Sequence, residues 1–306
     1  MRSESKAIIF LIVFSPITAE LLSSSMTIPE IINPISFMFL VTLYGFGALI
    51  IREASLHTEN RWGFIVFAGM AYGVIEEGLA CKSFYNPEWP DLDVLAYYGR
   101  YAGINTVWTL HLIIFHSIVS IAIPIAVTEM CFSECRGRRL TSNRRLGFFG
   151  ATFTLTVIIF NVVFPYEPSL TQYMFSFILI ALFISIGLIM PHRMTLKIGS
   201  PNKKILMLLG ALWMLLFFFT FFGLPNLGAS PIHTFIIALT LNVVYLLLFS
   251  TIDWNYYTDL DKLDIAFSPL WFLILLWLIS LNPERTIVAL LFASIHIKLR
   301  SIIKRT

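Results

Sequence analysis

Charge is what this sequence has least of. Asp, Glu, Lys and Arg make up 13% of its 306 residues, against roughly 25% in a soluble domain. That scarcity excludes a large soluble domain. Cysteine is nearly absent as well: Cys81, Cys131 and Cys135 have no zinc-ligand spacing and offer no disulfide framework. Cys131 and Cys135 stand one helical turn apart and read as inert thiols. The chain has no Gly-rich phosphate loop, Walker motif, Gly-x-Ser-x-Gly or His-Glu-x-x-His, so nucleotide-driven chemistry and the familiar serine and zinc hydrolase motifs have no footing. No internal repeat is evident, which disfavours a secondary transporter built from repeated halves. The net charge of +3 carries no nucleic-acid signal, because the basic residues sit in short loops.

What is present is apolar: 58% of the chain, with a mean hydropathy of +0.82. The chain reads as one all-α domain over 1–306, a polytopic transmembrane helix bundle of the cell membrane whose first partner is the lipid bilayer. Ten apolar runs are long enough to cross: 7–25, 35–51, 62–81, 104–130, 146–164, 172–190, 204–223, 231–250, 266–282 and 286–302. The first imitates a signal peptide but holds Pro16 and Glu20 and lacks an Ala-x-Ala-like site, so it counts as a span. The last, with His296 and Lys298, reads equally as a crossing or as an interfacial helix. With the N-terminus inside, every Lys and Arg except Lys82, Arg100 and Arg285 falls on an inner segment, as the positive-inside rule requires. Both termini are then cytoplasmic and the number of spans is even, about ten and at least eight. Residues 135–145 and 192–204 become basic cytoplasmic loops, and 83–104 an aromatic extracytoplasmic linker.

The strongest anomaly inside an apolar run is the pair Glu76-Glu77, late in the third span. An ionised carboxylate there costs about 2.5–3.5 kcal/mol on insertion scales, so an intramembrane Glu is by default a functional-site hypothesis. Adjacent like charges cannot both ionise cheaply, and one carboxyl is expected to hold its proton near neutral pH. A rise of about 1.5 Å per residue puts the pair in the outer third, level with Glu20, Asn105, His111, Asn161 and His233. A polar pocket and a set of interfacial snorkelling groups are both open readings of that level. Gly69, Tyr72, Gly73, Glu76, Glu77 and Ala80 share one face, and Gly69-x-x-x-Gly73 lets a neighbouring backbone approach, which turns the pair toward protein.

On the fourth span, depth favours His111 as the partner of the pair. Asn105, Thr109, His116 and Ser120 share a face, which favours His116 instead. Pro124 is expected to kink that helix before a solvated Glu129 at the inner boundary. The linker 83–104 carries Phe84, Tyr85, Trp89, Tyr97, Tyr98 and Tyr101, and Asp91 is placed to cap a short helix Leu92–Tyr98 ending at Gly99. The segment fits an interfacial belt or a lid over the pair that holds Lys82 and Arg100.

A Glu-Glu pair in one membrane helix, a basic residue after it and His in the next helix resemble the CPBP superfamily of intramembrane proteases. That group contains the CAAX prenyl endopeptidases and bacteriocin-processing enzymes and is related to the PrsW-type glutamic proteases. Its pattern is Glu-Glu-x-x-x-Arg, then Phe-x-x-x-His, then His-x-x-x-Asn. Glu76-Glu77 match the first element, with Lys82 one place beyond the family Arg, where this chain has Cys81. The second element corresponds to Val107-x-x-x-His111 or Leu112-x-x-x-His116. His233 and His296 are followed four residues later by Ile237 and Arg300 and do not complete the third. The resemblance covers Ala71 to Glu129 and implies cleavage of a membrane-anchored or prenylated peptide with no cofactor and no metal.

Three functions remain open. An intramembrane hydrolase would use Glu76 or Glu77 as general base and the other, protonated, to orient water, with His116 or His111 completing the site. Lys82, Arg100, Asn105 and Asn161 would line its polar pocket. A transporter or channel would use the carboxylates and His as a proton or cation relay. A non-enzymatic membrane scaffold would pair the two Glu structurally with Lys82 or Arg100. None of the three has nucleic acid as a partner.

Overall fold

A computed structural model describes residues 3–191 and 199–305. Its first long helix, Ser3–Pro16, continues without a break as the π-helical turn Ile17–Leu21. The second to tenth are Pro34–Ser55, Arg61–Ala80, Thr106–Cys131, Asn143–Val163, Leu170–Ile189, Lys203–Asn226, Pro231–Ser250, Asp259–Ile279 and Pro283–Ile303. Among the described residues these nine are long and apolar enough to cross a membrane. The first is of similar length but carries Glu4, Lys6 and Glu20. The basic loop expected over 192–204 lies, as far as residue 198, outside the described residues.

Helix starts follow local side-chain chemistry. Asn60 and Asn105 accept the amides of Gly63 and Trp108, each at 2.9 Å, and Ser169 and Thr258 form capping boxes with Gln172 and Asp261. Pro231 and Pro283 stand in first turns, where no amide hydrogen is needed.

The third and fourth helices are the hub of the bundle. The third packs on the fourth and sixth, the ninth on the fourth, seventh and tenth, and the first on the second and fourth. Missing side chains make the central contact. A Cβ on Gly69 would lie 2.9 Å from Ser117 Cα, and one on Gly73 3.2 Å from Ile113 Cα. The two backbones therefore touch where the Gly-x-x-x-Gly spacing predicts. The fifth, sixth and eighth helices are peripheral and turn Val162, Ile178, Ile189 and Ile236 outward. Apolar surface on that scale is incompatible with water and suits hydrocarbon, where helices satisfy their own backbones.

Two local expectations fail, at Glu129 and in the linker. Pro124, where a kink is expected, lies in the first turn of the α-helical stretch Ile123–Cys131, directly after the π-helical stretch His116–Ala122, so its ring meets a turn that is already widened. Glu129 is buried, not solvated, and pairs with Arg52 and Arg61. In the linker, the short helix is a 3₁₀ piece, Pro90–Leu95, with Asp91 inside it and Asp93 at φ 44°. Arg100–Tyr101 then pairs antiparallel with Ile104–Asn105.

Candidate functional site

Four π-helical stretches meet at one place: Ile17–Leu21, Val41–Gly45, Ile75–Ala80 and His116–Ala122. They supply Glu20, Tyr44, the Glu76-Glu77 pair, and His116 with Ser120. Single π turns inside α-helices are rare and often mark functional sites. Here the reason is geometric. A π turn holds more residues than an α turn, so consecutive side chains point in closer directions. Glu76 and Glu77, neighbours in sequence, both reach one imidazole.

His116 is held on both ring nitrogens. Nε2 lies 3.0 Å from Glu77 Oε1, while Nδ1 lies 3.1 Å from Ser120 Oγ and 3.3 Å from Glu76 Oε2. The Ser83 hydroxyl donates to the other Glu77 oxygen and accepts from Trp108 Nε1 at 3.1 Å. The Tyr44 hydroxyl donates to Glu20, and its ring lies 6.0 Å from that of His116. Glu76, Glu77 and His116 are all buried, whereas Glu20 is half-buried. Among the described residues, no Lys or Arg pairs with these carboxylates.

Two atoms of the site lack hydrogen bonds. Glu76 Oε2 has none, nor has the hydroxyl of Tyr72, whose buried ring stands edge-on to His116 at 6.1 Å. Buried polar atoms are nearly always partnered; Glu76 Oε2 faces the imidazole at 3.3 Å without hydrogen-bond geometry, which leaves it able to accept a further donor. An imidazolium satisfies both carboxylates, a neutral imidazole only one. One donor atom each from Glu76, Glu77 and His116 fall within 4.8 Å of one another, a ligand set of the type that holds a divalent cation.

The other candidates serve elsewhere. Lys82 Nζ donates to the carbonyls of Asn161 and Phe164 at 2.6 and 2.5 Å, closing the end of the fifth helix. Burial lowers its ammonium from the ordinary lysine range. Asn161 answers with its amide on Leu79 O at 2.6 Å. Arg100 holds the linker through Ala96 O and Tyr85 O at 2.5 and 2.8 Å. Asn105 caps the fourth helix and donates to Leu95 O at 2.6 Å. His111 is enclosed by Trp108, Phe217 and Phe221, with ring centroids 5.3, 4.7 and 4.6 Å away. His233 is exposed beside Ser230. Tyr44 and Ser83 belong to the site and were not legible in the sequence; neither stands out from its neighbours by type or spacing.

The fold and site define a polytopic all-helical membrane protein with a buried Glu–Glu–His cluster. Residues 9–304 match the model of a family described as an uncharacterized membrane protein family, and the chain belongs to that family. No curated protein and no solved structure matches it.

Proposed function

We propose that the cluster is a hydrolytic site acting on a membrane-anchored peptide, the activity implied by the resemblance to the CPBP intramembrane proteases. The observation that carries this reading is the division of labour between the two carboxylates. Glu77 is engaged on both oxygens, by His116 and Ser83, and so orients the imidazole. Glu76 meets the imidazole through Oε2 at 3.3 Å, outside hydrogen-bond geometry, and is the general base. It takes a proton from water as the water oxygen attacks the scissile carbonyl. His116 delivers a proton to the departing amine, leaving a carboxylic acid and an amine. No cofactor is required. The enzyme lies in the cell membrane with both termini cytoplasmic. Exclusive labelling from inside of a cysteine introduced by Tyr97→Cys, at an exposed linker position, would sink that orientation.

The test is cleavage of a prenylated or membrane-anchored peptide by Glu76→Gln, Glu77→Gln, His116→Ala and His111→Ala. The first three are expected to lose at least 100-fold in turnover, the range of general acid–base catalysis. The last is expected to keep its turnover. Full activity in both Glu variants would end the reading. One observation favours a second reading, a proton or cation relay: Glu20, linked through Tyr44, adds a third carboxylate to a site without Lys or Arg. Flux across proteoliposomes without peptide cleavage, abolished by Glu76→Gln, would select it.

A further inference from the structure

The tenth helix ends in a feature that owes nothing to the Glu–Glu–His site. Its inward side, Val288, Phe292, His296 and Leu299, is buried. Its outward side presents Ile287, Leu290, Ser294 and Ile297, all exposed and spaced three and four apart, hence in one stripe. The stripe runs into a cavity of about 440 Å³ lined by Ile297, Arg300, Ser301, Lys304 and Arg305.

That cavity is anchored from below. Arg300 Nη1 donates to Asp264 at 2.5 Å, and the same buried carboxylate oxygen lies 3.1 Å from His296 Nε2. The other ring nitrogen of His296 accepts from Trp271 Nε1 at 3.0 Å. One guanidinium is thus fixed at the cavity wall. Lys304 and Arg305, both exposed, have no carboxylate partner among the described residues. A second cavity nearby, about 320 Å³ around Lys203, Lys204 and Tyr257, differs in charge, because Asp261 pairs with Lys203 at 2.7 Å.

We infer that this end of the tenth helix binds one anionic phospholipid. An acyl chain follows the Ile287–Leu290–Ile297 stripe. The phosphate sits among Arg300, Ser301, Lys304 and Arg305, which offer charge-assisted hydrogen bonds to its oxygens. A soluble phosphate would use the basic groups but not the stripe that leads into them, so the geometry favours the lipid.

Full-length protein in neutral detergent is titrated with phosphatidylglycerol, phosphatidylcholine or inorganic phosphate, and followed by native mass spectrometry and thermal unfolding. Phosphatidylglycerol is expected to be retained and to raise the midpoint; the other two are not. Lys304→Gln with Arg305→Gln is expected to weaken phosphatidylglycerol about 25-fold, because each basic side chain near an anionic headgroup is worth about fivefold. Leu290→Gln is expected to weaken it through the stripe, ten positions away from Arg300 and without adding charge. Equal retention of phosphatidylcholine, unchanged affinity in the double variant, or equal protection by inorganic phosphate would each overturn the assignment.

Discussion

Two buried charge clusters sit on the third helix fifteen positions apart, about 22 Å at 1.5 Å per residue, and they are built to opposite rules. At its start, Arg61 and Arg52 face Glu129 and Glu53, two cations for two anions. Arg52, Glu53 and Arg61 have further partners, and both Glu129 oxygens are engaged by arginine. Arg52 donates to the carbonyls of Cys135 and Arg138, both at 2.7 Å, and Glu53 accepts the Leu140 amide at 3.2 Å. Near its end, two carboxylates share one histidine, a third, Glu20, is bonded to Tyr44 beside it, and two buried oxygens make no hydrogen bond. A balanced and saturated network has nothing left to bind and acts as a staple, here tying the basic segment 135–145 to the second helix. An unbalanced, unsaturated one keeps capacity for a proton, a water or a substrate, at the expense of stability.

The balanced cluster is most vulnerable at Arg52. Arg52→Ala leaves Glu53 without its buried cation and Glu129 with only Arg61. A destabilisation of about 3–5 kcal/mol is expected, read as loss of folded protein in detergent. A melt within a degree or two of wild type would show that the first cluster is no staple.

Next comes Gly73→Leu, which drives a side chain into the fourth helix beside His116 and Ile113. Overpacking of this kind costs about 1–3 kcal/mol or more. It should lower thermal stability and disturb the site together. Unchanged stability would mean that the helices separate easily and that the distances around His116 are not held by packing.

Smaller changes in stability are expected from Glu76→Gln and Glu77→Gln, which keep shape and remove charge from the unbalanced cluster. Both should stay within about 1 kcal/mol of wild type, with a gain as admissible as a loss. A collapse as deep as that of Arg52→Ala would place both clusters in the same structural class.

The smallest effect belongs to His111→Phe. Its Nδ1 is buried without a partner amid aromatic rings, so an apolar ring of similar size should leave melting and activity within about 0.5 kcal/mol or raise stability slightly. Loss of activity in a stable His111→Phe protein would restore His111 to the site.

Much of the outline was legible because hydrocarbon enforces it. An apolar run of membrane length must form a helix, and nine of the ten expected spans appear as helices long and apolar enough to cross. The Glu76-Glu77 pair was legible for the same reason, since a charge in such a run is expensive wherever the helix ends up. Gly69 and Gly73 announced a close neighbour through spacing alone. The linker was harder, because two of its bends rest on Lys82 and Ala102 at positive φ, residue types that do not advertise that conformation.

Sequence by itself determined the class of protein, the positions of its helices and the carboxylates at the centre of the site, since each follows from the transfer of local chemistry into hydrocarbon. Only the tertiary structure decided that His116 and not His111 meets the pair, that Glu20 and Tyr44 join them, and that Glu129 is buried between two arginines. Those choices turn on how each helix is rotated against its neighbours. Depth and a regular 100° step cannot supply that rotation when four helices widen into π turns at the site, because each widened turn resets the direction of every side chain beyond it.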